Sequence, residues 1–177
     1  TKSRTLTREE LVREIDQHTP GSTADLVVIT GGEPFRQHFG PLVEALVGQF
    51  RRTVVQIETN GALWTDIPRN DRVEIVCSPK TPKVHPLLAQ RVTAWKYATR
   101  ATNDADGDSD DTAHTLDENT GLPVGLARPW PGPPVYLAPM DESDDAKNAL
   151  NTRVCVEACL RHGHRLSVQV HKIVGLP

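Results

Sequence analysis

Apolar residues follow two rhythms in this sequence. Short apolar-rich runs of strand length occur at Leu26-Val27-Val28-Ile29, Val54-Val55-Gln56-Ile57, Val73-Glu74-Ile75-Val76-Cys77 and Val135-Tyr136-Leu137. The first is continuous, as for a strand buried on both faces. Between the runs, apolar residues recur at helical spacing. Leu11, Val12 and Ile15 follow Thr7-Arg8-Glu9-Glu10, a capping box in which the Thr hydroxyl takes an amide and Glu10 reaches back. That helix ends before Pro20-Gly21. Residues 41–50 predict a second, amphipathic helix, 87–89 a short one, and 141–162 a long one with Leu150, Val154 and Ala158 on one side. Residues 92–98, centred on Trp95-Lys96-Tyr97, predict a fourth strand, and 165–170 a last strand alternating Leu166, Val168 and Val170 with polar residues. Strand, helix, strand in this cadence predicts parallel βα units, whose functional loops follow the carboxyl ends of the strands.

The 177 residues suffice for one domain with a real core. Only 5% are aromatic against 37% hydrophobic, so that core is aliphatic. A formal charge of −3 gives no broad attraction to nucleic acid or to an anionic membrane. No apolar run approaches the roughly 18–20 residues of a membrane span, and the first residues lack a secretory h-region. The reading is a soluble, cytoplasmic protein. Cys77, Cys155 and Cys159 are odd in number and predict no disulfide framework. Cys155 and Cys159, four apart, share a helix face, either as half of a metal site or, the plainer reading, as small core residues. From 102 to 134 the pattern breaks into an acidic and then proline-rich stretch, read as a variable, solvated insertion in a single domain spanning 1–177. Its Asp104-Ala105-Asp106-Gly107-Asp108 lacks the full EF-hand pattern.

The strongest signals follow the strands. Thr30-Gly31-Gly32-Glu33-Pro34 combines two permissive glycines with a proline exit and leaves one carboxylate on a backbone turn. That suits gripping a ligand ammonium through Glu33 and backbone carbonyls. The second strand leads into Glu58-Thr59-Asn60-Gly61 and the third into Ser78-Pro79-Lys80. Each alone is also an ordinary turn sequence, but on successive strand ends they would face one pocket. The first motif resembles the one with which radical S-adenosylmethionine enzymes hold the methionine amino group. With Tyr136-Leu137-Ala138-Pro139-Met140-Asp141 and the ending Arg165-Leu166-Ser167-Val168-Gln169-Val170-His171-Lys172-Ile173-Val174-Gly175-Leu176-Pro177, the series resembles the 7-carboxy-7-deazaguanine synthase family in particular. The resemblance runs from about residue 6 to 177, apart from the insertion.

That resemblance implies an incomplete (β/α) barrel of mainly parallel strands. It also implies a radical lyase that contracts 6-carboxy-5,6,7,8-tetrahydropterin to 7-carboxy-7-deazaguanine with loss of ammonia, in queuosine and 7-deazapurine biosynthesis. The implied cofactors are a 4Fe-4S cluster, S-adenosylmethionine and Mg2+; the implied partners are a reductant such as flavodoxin and a second copy in a homodimer. By motif match Gly32, Glu33, Ser78, Pro79 and Lys80 bind S-adenosylmethionine. Thr30, Glu58, Ala138, Pro139, Met140, Asp141, His171 and the terminal carboxylate of Pro177 bind the pterin. Ala138 stands where the family commonly has Gln. The family's CxxxCxxC loop does not occur in these residues. The expectation is therefore that the cluster-binding segment and the magnesium-ligating Thr lie upstream, and that these residues alone do not catalyse radical chemistry. Two other readings stay open: a radical activating enzyme acting on a protein partner, which the C-terminal signature opposes, and a cluster-free pterin- or nucleoside-binding module.

Overall fold

The computed structural model describes residues 4–18, 25–101, 116–170 and 174. His171, Pro177, the Pro20-Gly21 stop and the acidic part of the insertion lie outside them. Helix α1, Arg8–His18, begins with the predicted capping box. The Thr7 amide donates to Glu10 Oε2 at 2.7 Å and the Glu10 amide to Thr7 Oγ1 at 3.2 Å. Strand β1, Leu26–Ile29, leads through a 3₁₀ turn, Pro34–Arg36, to α2, Gly40–Gln49. Then come β2 (Val54–Thr59), β3 (Val73–Cys77), α3 (Pro86–Ala89), β4 (Ala94–Thr99), β5 (Val135–Pro139), α4 (Asp145–His162) and β6 (Arg165–Leu166).

The six strands form one sheet in the order β1-β2-β3-β4-β5-β6, every neighbouring pair parallel. Crossovers between parallel strands are right-handed, so an order that never reverses puts all of them on the same face. Residue parity shows the result. Val55, Ile57, Val73, Ile75, Cys77, Trp95, Tyr97 and Leu137 are buried with Val43, Leu46 and Phe50 near α2 and Cys155 and Ala158 of α4 in one core. The even-numbered residues of β2 to β4 are only half-buried or exposed, so among the described residues the second face is open. Arg72, at the entry to β3, ties the helical layer to the sheet by donating to the carbonyls of Phe50 (2.6 Å), Thr53 (3.1 Å) and Val47.

The structure corrects four expectations. First, β1 is not buried on both faces: Leu26 and Val28 are 51% and 42% exposed, because only its odd-numbered side faces the core. Second, the buried side of α4 is Asn151, Cys155, Ala158 and Cys159 rather than Leu150 and Val154, a rotation of about one residue. The helix starts at Asp145, where Asp144 caps the Lys147 amide, and not at 141. Third, the last strand is two residues long. Ser167 N still donates to Leu137 O, but the next ladder bond would need an N–H from Pro139, which has none. Val168 and Val170 are accordingly exposed. Fourth, part of the 102–134 region is core. Leu122, Leu126 and Ala127 are buried, and Ala127 O accepts from Tyr97 Oη at 2.7 Å.

Candidate active site

All strands being parallel and consecutive, their carboxyl ends form one row, and on it sit the predicted motifs that follow β1, β2, β3 and β5. At the end of β1, Gly31 and Gly32 take φ of 89° and 42°. A Cβ on either would meet nothing within 4 Å. Here the backbone conformation calls for glycine, and the peptide groups remain accessible to a ligand.

Glu33 does not point outward as the sequence implied. It is 8% exposed and caps the 3₁₀ turn, accepting from the Phe35 amide at 3.1 Å. It also accepts from Thr59 Oγ1 at 2.7 Å and from the Asn60 amide at 2.8 Å. Its carboxylate thus fastens the glycine turn to the loop after β2, and the exposed groups of the turn are the glycines before it. That loop is itself tight. Asn60 Oδ1 accepts from the Ala62 amide, and Gly61 has φ 83°, where a Cβ would come within 2.7 Å of Cys77 Sγ.

The next motifs are linked to the same row. The Ser78 amide donates to Thr59 O at 2.7 Å, and its hydroxyl to Lys96 O at 2.8 Å. Pro79 is buried and Lys80 exposed. The Met140 amide donates to Thr99 O, joining the end of β5 to β4. Ala138, Pro139 and Met140 are half-buried, and exposed Asp141 accepts from Ser143 N and Asn148 Nδ2.

Thr30 and Glu58 were candidates from the sequence, but Gln56, Lys96, Asn151 and Glu142 escaped sequence reasoning. Glu58 Oε1 accepts from Gln56 Nε2 at 3.2 Å and lies 3.8 Å from Lys96 Nζ, while Thr30 Oγ1 approaches Oε2 at 3.5 Å. Gln56, Glu58 and Lys96 share even parity, and polar residues at one parity of otherwise apolar strands were the available signal. Behind the loop after β5, Asn151 donates to Met140 O (3.0 Å) and Glu142 Oε1 (2.8 Å) and accepts from the Ala101 amide (2.7 Å). Glu142 also pairs with Arg100 at 3.0 Å, both 14% exposed. An Asn in the middle of a helix face was the only hint.

The described residues do not fit an iron–sulfur cluster. Cys77 lies in β3, Cys155 and Cys159 on α4, and all three are buried and free. Burial pushes the Cys77 thiol up to about 12, with the negative charge of Glu33 adding to the effect. Burial likewise raises Cys155 to about 11, against a hydrogen bond with Thr99 that lowers it. A cluster or metal needs thiolate or other converging ligands. Among the described residues no group of three or more His, Cys, Asp or Glu is placed to hold a metal. No described helix is long and apolar enough to cross a membrane.

An open sheet of six consecutive parallel strands with helices on one face is the architecture of an incomplete (β/α) barrel. No family model matches the chain. It is 42% identical over 178 residues to the 7-carboxy-7-deazaguanine synthase of Rhodospirillum rubrum, covering 94% of this chain and 71% of that protein. It is 35% identical over 159 residues to the synthase of Rickettsia prowazekii, covering 87% of this chain and 60% of that one. The crystal structure of QueE from Escherichia coli superposes with a TM-score of 0.62 at 26% identity, over 93% of this chain and 64% of that one. The chain belongs to the 7-carboxy-7-deazaguanine synthase family.

Proposed function

We propose that this protein acts as a 7-carboxy-7-deazaguanine synthase, converting 6-carboxy-5,6,7,8-tetrahydropterin to 7-carboxy-7-deazaguanine with loss of ammonia. One observation carries the reading. The glycine turn, the Glu58-Thr59-Asn60-Gly61 loop and the Ser78 loop are hydrogen-bonded to one another at one edge of one open sheet face.

On this reading the peptide groups of Gly31 and Gly32 receive the amino end of S-adenosylmethionine, with Glu33 holding their conformation from behind. Ser78, Pro79 and Lys80 line its other side. S-Adenosylmethionine, when bound and reduced, supplies the radical that starts the ring contraction. This chain's residues orient the two ligands and keep water from the reacting face. Thr30, Glu58 and residues 138–141 face the pterin, joined by His171 and the carboxylate of Pro177. A homodimer, a flavodoxin-type reductant and Mg2+ belong to the same proposal.

The test uses protein expressed from its complete coding sequence and reconstituted anaerobically with iron and sulfide. Supplied with S-adenosylmethionine, carboxytetrahydropterin and a reductant, it should form 7-carboxy-7-deazaguanine, read by mass spectrometry. Binding of both ligands without product would favour the cluster-free module instead; binding of neither would end both readings.

A further inference from the structure

Lys96 is one of the polar groups on the open face to which the pterin reading gives no task. Lys96 starts on β4, two strands from Glu58, so its side chain must cross β3 and roughly 10 Å of sheet to come within 3.8 Å of Glu58 Oε1. The row it crosses offers nothing to stop it. Val76 is apolar, and the Ser78 hydroxyl is turned to the Lys96 carbonyl.

Folding does not account for the pair. Both side chains are about a third exposed (36% and 35%), and at 3.8 Å the contact is longer than a hydrogen bond; such pairs add little to stability. Among the described residues the ammonium has no closer partner, so its three donors are available. A carboxylate has about four acceptor sites. Gln56 takes one on Oε1 and Thr30 weakly one on Oε2, leaving about one on each oxygen. The face therefore presents two acceptors side by side and a donor next to them.

We propose that Glu58 and Lys96 together read the amide edge of the bound ring: Glu58 accepts from the ring N–H and the adjoining amino group, and Lys96 donates to the neighbouring carbonyl. Gln56 is a positioning residue that holds Oε1. The proposal rests on the pterin reading above and makes Lys96 a specificity-determining residue, since a 4-amino ring presents a donor where Lys96 needs an acceptor.

The test is equilibrium binding to the full chain, read by fluorescence, of 6-carboxypterin and of its 2,4-diamino analogue, in which an amino group replaces the carbonyl. The native protein should prefer the oxo form. Lys96→Met should weaken it roughly 10–100-fold while leaving the diamino form unchanged or tighter, which narrows the preference to the part Glu58 supplies, since the ring nitrogen of the diamino form has no hydrogen for it to accept. Lys96→Arg should restore part of it. Circular dichroism and thermal melting confirm that each variant is folded. If Lys96→Met leaves the oxo-to-amino ratio unchanged while 6-carboxypterin still binds, this proposal falls and the pterin reading stands. If 6-carboxypterin does not bind the native protein, both fall.

Discussion

Glu33 shows how far a motif residue's role can differ from what its letter implies. A carboxylate in a glycine-rich turn reads as a ligand group, yet here it is buried and accepts from two amides and a hydroxyl. Removing it strands those donors, and stranded buried donors cost more than the bonds themselves were worth. Glu33→Ala should therefore lose about 2–4 kcal/mol of stability. Glu33→Gln should lose less, because its one carbonyl oxygen still accepts while its amide nitrogen opposes a second donor. Urea denaturation of the three proteins measures both, and equal stability of Glu33→Ala and the native chain would refute the fastening role. Sequence alone could not show this, since Thr59 and Asn60 lie 26 and 27 positions away and only the β1–β2 pairing brings them to Glu33.

Helix α4 carries a similar lesson about faces. Its C-terminal end and apolar content were legible, as were its cysteines as core residues, but its start was placed too early and its orientation was one residue off. The reason is Asn151, a polar residue on the most buried line of the helix, at 1% exposure. It replaces apolar packing with hydrogen bonds to Ala101, Met140 and Glu142, which lock the loop after β5 against the end of β4. Periodicity assigns polar residues to solvent and so turns the helix away from it. Asn151→Leu, close in size, should cost about 2–4 kcal/mol by leaving the Ala101 amide and Glu142 unsatisfied. Its thermal unfolding should fall well below that of an exposed control such as Thr152→Ala. Strand ends were misjudged for a comparable reason, since β6 stops where its partner, Pro139, has no proton to give.

At the scale of the whole molecule, three weak acids from different elements share one compartment. Cys77, Cys155 and Tyr97 all lie in the core between sheet and helices, and burial raises the pKa of each. Groups whose folded pKa exceeds the unfolded value leave stability intact below the unfolded pKa and withdraw it as pH climbs toward the folded one. For Cys77 that window runs from 9.0 to about 12. Melting temperature should thus stay flat near pH 8 and decline above pH 9, and Cys77→Ala should decline less steeply over the same series. A slope identical to the native protein's would contradict the burial argument. The parallel sheet itself was legible, because four apolar runs and their turns survive in the letters. Which face would stay bare was not, because that depends on strand order, and order is a property of the assembled sheet.

The unreversed order has one more consequence. Each strand's partner is the one made immediately before it. A chain emerging from the ribosome can lay down its sheet as a mason lays courses, every new strand covering the edge just exposed. No segment need wait for a distant stretch yet to be translated, and the time during which a bare strand edge could capture another nascent chain is kept short.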